Sequence, residues 1–408
     1  MMIKPILSAL RRHKAGTILI ALQIALTLAI VCNALFIIHQ RVSHLSRGTG
    51  IDESNLVIVT NRLVGNTENF VPLIKSDLQA LRQMPDVEAV YATNSYPLRN
   101  GGWSMGARTN PDQKKSTGQT AIYFVDEHAL ATLGVRLVAG RNFNAGDVID
   151  QDPKKSIAGP VTIVTKALAD KLFPDGSALG KNIYLTEEKK PSTIVGIVEK
   201  TQVPWVSSFA STWDQYVTFL PAVLNTDYNA YLVRAKPGQE AAVRAHVLDV
   251  LVKNNRMRTL PDENGVQTFA DVRSKAYERD RGMAIMMGIV CAVLLAITAA
   301  GIVGLTSFWV GQRRKQIGVR RALGATKRDI LTYFLTENFL IGGAGVVVGS
   351  AMAIGMSMWL QQHFETERMS VVYVLVGMVL LLLLGQGAVL APAMRASKVS
   401  PVEATRNA

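Results

Sequence analysis

At 408 residues, with 49% hydrophobic residues and a mean hydropathy of +0.19, the chain is too apolar for an ordinary soluble enzyme and points to the membrane. The net charge of +13 suggests nucleic acid, but residues 39–281 hold 29 Lys and Arg against 26 Asp and Glu, a net of only +3. The excess sits at the two ends and in one central loop, which is the signature of membrane topology and argues against a nucleic-acid partner.

Residues 1–14 place Ile3, Ile6, Leu7 and Leu10 on one helical face with basic residues after them, the pattern of an interfacial helix lying on lipid. Residues 15–38 follow without a charge, enough to span a hydrocarbon core of about 30 Å, so they predict the first transmembrane helix. The run is too long for a cleaved signal peptide. Gln23 and Asn33 within it are expected to face another helix.

Residues 39–282 read as a large α+β domain outside the cytoplasm, with helical stalks at both ends. Strands are expected over 55–59, 87–91, 122–125, 161–164, 193–198 and 231–234, and helices over 72–84, 128–133, 166–172 and 241–253. Residues 100–115 read as loop or hairpin, and Gly140-Arg141 as a turn. The polar helix from Thr268 runs without a breaker into the second span. In 204–213, Trp205, Phe209 and Trp213 offer a periplasmic contact, with core packing as the alternative.

Residues 283–310 predict the second transmembrane helix, 331–360 the third, 361–370 an outer loop, 371–394 the fourth, and 395–408 a cytoplasmic tail. The third span carries Gly345, Gly349 and Ala353 at four-residue spacing, which lets helices approach closely. Glu337 near its start is expected to pair with a nearby basic residue. Between the second and third spans, residues 311–330 hold seven basic residues against one acid, Asp329. Val319, Ala322, Leu323 and Thr326 form an apolar stripe on a short helix that Gly324 stops, and Thr326 with Asp329 reads as a capping box. That is the form of a cytoplasmic docking element; a solvated loop kept basic only for topology is the alternative.

The string Arg313-Arg314-Lys315-Gln316-Ile317-Gly318-Val319-Arg320-Arg321-Ala322-Leu323-Gly324-Ala325 resembles the loop after the second helix of the FtsX-like and MacB-like permease family, with Gln316 where many members carry Glu. Tyr123-Phe124 and the stretches 137–143, 167–174, 178–181 and 194–198 resemble that family's MacB-like periplasmic core domain. The resemblance implies four transmembrane helices with the α+β domain inserted between the first and second. It also implies a coupling element made of Gln316, Ile317, Gly318, Arg320, Arg321, Ala322, Leu323 and Gly324, docked on an ATP-binding-cassette ATPase.

No Walker A string occurs: residues 176–182 have the wrong spacing and no Ser or Thr after Lys181. The six histidines show no ligand spacing, no G-x-S-x-G elbow occurs, and Cys32 and Cys291 lie in apolar runs. The expectation is a non-catalytic membrane subunit without metal or cofactor, ATP and Mg being bound by the partner. By resemblance it is a permease of a MacB-like export system that expels substrate from the periplasm. It would sit in a bacterial inner membrane with both ends cytoplasmic. Expected partners are a second permease, identical or related, and a periplasmic adaptor with an outer-membrane channel. An FtsX-like regulator of a cell-wall hydrolase and a lipoprotein-releasing permease are the alternatives.

Overall fold

The computed structural model describes residues 14–65, 68–155, 157, 159–185, 189–259, 261, 265–364 and 368–399. The helix expected over 1–14, except for Lys14, and the tail from residue 400 lie outside the described residues. The chain forms two compact units, Met1–Leu45 with Arg279–Ala408, and Ser46–Glu278.

The first helix, α1 (Lys14–Leu45), leads into the Ser46–Glu278 unit. That unit opens with β1 (Leu56–Leu63), α2 (Val71–Arg82) and β2 (Val87–Thr93). Next come β3 (Trp103–Ala107), β4 (Gly118–Val125), α3 (Ala129–Leu133), β5 (Leu137–Gly140), β6 (Ile149–Gln151) and β7 (Val161–Thr165). They are followed by α4 (Lys166–Leu172), β8 (Asn182–Ile183), β9 (Ser192–Val198) and β10 (Val217–Leu224). The chain returns through β11 (Tyr228–Ala235), α5 (Glu240–Asn254), β12 (Arg258–Thr259), β13 (Val266–Thr268) and α6 (Phe269–Ala276).

The outgoing and returning legs make one antiparallel sheet in the order β12-β1-β11-β2, with β13 also on β1. Everything between them makes a second, mixed sheet, β3-β4-β10-β7-β9-β5, so the second lobe is an insertion into the first. Residues 100–115, expected as loop or hairpin, supply β3, which pairs antiparallel with β4. β10 has no polar alternation because all eight of its residues are buried in the middle of its sheet, and a period-two search passes over it. Leu137–Gly140, read from the sequence as leading into a turn, is strand β5. Gly140 has φ +78°, and a Cβ there would lie 2.2 Å from the carbonyl oxygen of Val195, so only glycine lets β5 approach β9 this closely.

On α2, Val71, Ile74, Leu78 and Leu81 form a buried stripe that packs with Val243, Val247 and Leu251 of α5 over the first sheet. The same face of α2 carries a buried charge. Asp77 and Arg258 are each 1% exposed at the side chain, and Arg258 donates to both Asp77 oxygens at 2.8 and 3.1 Å. Tyr231 Oη and Asn254 Nδ2 complete the carboxylate at 2.7 and 2.8 Å. Burial and the Asp77 carboxylate push the Tyr231 phenol well above its ordinary value. The helix expected to run unbroken from Thr268 into the second span is interrupted. Thr268 and Asp271 cap α6 reciprocally, and α6 ends at Tyr277, whose φ and ψ of −105° and 8° leave the helical region.

The other unit holds the helices that are long and apolar enough to cross a membrane: α1, α7 (Glu278–Gln312), α9 (Lys327–Phe364) and α10 (Val371–Ser397), with the short α8 (Arg314–Ala322) between α7 and α9. α9 lies directly on α1: a Cβ on Gly345 would come within 2.7 Å of the Ala21 carbonyl oxygen, and one on Gly349 within 2.8 Å of Ala25 Cα. Ala353 is fully buried, and its carbonyl accepts from Asn33 Nδ2 at 3.2 Å. Gln23 and Thr27 of α1 are also satisfied inside the unit. Gln23 Nε2 donates to the Ile297 carbonyl at 3.2 Å, and the Thr27 and Thr298 hydroxyls lie 2.8 Å apart.

Candidate functional site

α8 begins one residue after α7 ends, and Arg313 between them has φ and ψ of −95° and 9°. Its far end is a complete Schellman stop: Gly324 at φ +96° donates its N–H to Arg321 O, and Ala325 N–H donates to Arg320 O. Thr326 and Asp329 then cap α9 reciprocally, the Asp329 carboxylate accepting from the Thr326 N–H and hydroxyl at 2.8 and 2.6 Å. The Schellman stop fixes the far end of the nine-residue α8, and the capping box fixes the start of α9 directly after it.

The residues assigned to coupling divide between two faces. Ile317 and Gly318 turn inward and are buried, Ile317 in the apolar cluster that holds Ile330, Phe334 and Ala393. They contact their own chain and do not belong to an outer surface with the rest. Val319 is 53% and Leu323 82% exposed, and Gln316, Arg320, Ala322 and Gly324 are exposed beside them. Arg321 is half-buried, and the Arg320 guanidinium lies 5.0 Å above the Tyr333 ring.

Beneath α8 lies a contact that the sequence showed only by halves. Arg313 Nη1 donates to both oxygens of Glu337 at 2.9 Å, with side-chain exposures of 10% and 3%. Glu337 was expected to find a basic partner; which one was not evident. The clue is that Trp309, Arg313 and Ile317 are all buried at four-residue spacing, an inward stripe that crosses the break between α7 and α8.

The other sequence candidates lie apart from this helix. Trp205, Phe209 and Trp213 form a mutually perpendicular or tilted ring cluster with centroids 5.3–5.8 Å apart. Trp213 is buried and donates from Nε1 to the Phe209 carbonyl, whereas Phe209 is 61% exposed, so the cluster is part core and part surface. Among the described residues, Asp126, Glu127 and His128 bring ligand-type atoms within 4.8 Å of one another. Asp126 already accepts from Arg82 at 2.7 Å and from the His128 N–H at 2.9 Å. Burial raises its pKa, Arg82 opposing. The groove of about 450 Å³ beside it is lined by Lys75, Arg82, Asp126 and Glu127, and its cations are already paired, Lys75 with Asp150 and Arg82 with Asp126.

Four spanning helices, an α+β domain inserted between the first and second, and a short capped basic helix between the second and third define a membrane permease architecture. Two family models match it: the MacB-like periplasmic core domain over residues 17–250 and the FtsX-like permease C-terminal region over residues 288–401. The chain belongs to this family of ABC-transporter permeases. It is 25% identical over 319 residues to the macrolide export ATP-binding/permease protein MacB of Neisseria gonorrhoeae, covering 77% of this chain and 47% of that protein. It is also 25% identical over 346 residues to the uncharacterized ABC transporter permease YvrN of Bacillus subtilis, covering 82% of this chain and 79% of that protein. Among solved structures, the periplasmic region of MacB from Actinobacillus actinomycetemcomitans aligns with a TM-score of 0.37 at 13% identity, over 57% of this chain and 97% of that one. The chain spans about half the length of the MacB proteins it matches.

Proposed function

We propose that this chain is the permease of a MacB-like export system and that the outer face of α8 docks on an ATP-binding-cassette ATPase. The observation that carries the reading is the exposure of Val319 and Leu323 on a basic helix whose far end is fixed by a Schellman stop. An exposed apolar pair flanked by Arg314 and Lys315 suits a partner groove with an apolar floor and an acidic rim. ATP and Mg are bound and hydrolysed on the partner, and this chain is the non-catalytic part. Basic clusters before the first span, after the second and after the fourth support a cytoplasmic α8 and cytoplasmic chain ends, with the inserted domain in the periplasm of a bacterial inner membrane. Closure of the ATPases displaces α8, the long spans carry the motion outward, and the periplasmic domains expel substrate toward an adaptor and an outer-membrane channel. A second permease, identical or related, completes the assembly.

Leu323→Asp is the test. Removing a docked leucine costs about 2 kcal/mol or more, roughly 30-fold in affinity. The variant is expected to reach wild-type levels in membranes, because Leu323 makes no packing inside its own unit that exposure of 82% would allow. Affinity purification from native membranes, read by mass spectrometry, should recover an ATPase with the wild type and lose it with Leu323→Asp. Equal recovery with both sinks the docking role.

A further inference from the structure

We infer that Arg313 and Glu337 form a charged joint that holds α8 at a fixed angle to α9, so that a push on α8 is delivered to the third span. The inference rests on the docking role proposed above and names the residues that would pass the motion on.

Two helical faces meet along this joint. Arg313, Ile317 and Arg320 stand at i, i+4 and i+7; Ile330, Tyr333, Phe334 and Glu337 stand at i, i+3, i+4 and i+7 of an antiparallel partner. Arg313 pairs with Glu337 at one end, Ile317 shares a buried cluster with Ile330 and Phe334 in the middle, and Arg320 covers the Tyr333 ring at the other end. Between the faces lies a partly open cleft of about 20 Å³, lined by Arg313, Gln316, Ile317, Arg320, Tyr333 and Phe334.

Two helical hydrogen bonds persist at the bend: Arg313 N–H donates to Trp309 O, and Ile317 N–H donates to Arg313 O, both at 3.0 Å. The backbone therefore supplies a bend, and the side chains decide how stiff it is. Apolar contacts alone would shear at little cost, because one apolar neighbour replaces another. A guanidinium and a carboxylate at 10% and 3% exposure cannot part without each being left unpaired away from water. The Trp309 ring, 5.9 Å from the guanidinium, closes the remaining side. Arg313 and Glu337 are positioning residues: the ion pair makes the corner rigid, and the outer face of α8 stays free to dock.

The test uses the full chain with its ATPase in nanodiscs, spin-labelled at Lys315 and Gln361 in a Cys32→Ala, Cys291→Ala background. Both labelled positions are exposed, on α8 and at the far end of α9. Glu337→Gln is expected to retain the ATPase to within about twofold but to broaden the label–label distance distribution by about twofold or more. Addition of ATP should then shift that distribution less than in the wild type. The swap Arg313→Glu with Glu337→Arg is expected to restore a narrow distribution, which a role in folding alone would not predict. Should Glu337→Gln fail to accumulate, Arg313→Lys keeps the charge without the planar fork and is expected to broaden the distribution by a smaller factor. Wild-type width in whichever of these variants accumulates, or no narrowing in the swap, overturns the joint. A wild type that binds no ATPase defeats the docking role instead, and the widths measured without it still decide the joint.

Discussion

Asp77→Ala is expected to destabilise the Ser46–Glu278 unit by about 3–5 kcal/mol. The reason is what remains behind. Arg258, 1% exposed, would keep its charge with, among the described residues, Asn61 and the Asn255 carbonyl as acceptors, at 3.1 and 2.6 Å. Tyr231 and Asn254 would each lose an acceptor as well. Pulse proteolysis in urea reads this on the full chain in detergent, with cleavage expected inside the polar unit while the spanning helices persist. Lys166→Ala is the control, because its pair with Asp170 is 58% exposed on both sides and should be worth less than about 0.5 kcal/mol. A loss below about 1 kcal/mol for Asp77→Ala would contradict the assignment of a buried clamp.

Gly349→Ala is expected to cost about 1–3 kcal/mol through overpacking, although alanine is the better helix former. The added methyl would meet Ala25 Cα and O at 2.8 Å and Leu28 Cβ at 2.9 Å, and two of those three atoms are backbone that cannot rotate away. α1 and α9 must separate, and Asn33 loses its reach to the Ala353 carbonyl. Gly343→Ala, on the same helix, meets nothing within 4 Å and is expected to be neutral or to gain up to about 1 kcal/mol. Thermal unfolding of both variants in one detergent gives the comparison. Equal midpoints would show that the Gly345 and Gly349 contact does not hold the two helices together.

The spans were legible because nothing but a bilayer rewards such long uncharged runs, and the inserted domain was legible from turn residues and short alternating segments. β10 was missed for a physical reason: a strand buried on both faces has no polar side to mark its period. The break at Tyr277 was missed because no proline or glycine announces it, and the capped α6 simply ends there. The stop of α8 and the start of α9 could be read residue by residue, since Gly324, Thr326 and Asp329 act locally. The facing of α8 could not. Val319, Ala322 and Leu323 form a stripe as regular as Arg313, Ile317 and Arg320, and only the position of α9 shows that the second stripe is the inner one. Hydrophobicity gives no signal for the inner face, because it is anchored by an arginine whose partner lies 24 residues away.

Transmission through this chain depends on which face of α8 meets another protein. A photo-reactive benzoylphenylalanine placed in turn at Val319, Leu323 and Ile317 of the full chain, activated in native membranes, measures it directly. The expected result is an adduct with an ATP-binding-cassette ATPase from positions 319 and 323, identified by mass spectrometry, and only intrachain products from 317. Adducts with lipid alone from 319 and 323, or an ATPase adduct from 317 and from neither of the others, would contradict the docking surface assigned to this helix.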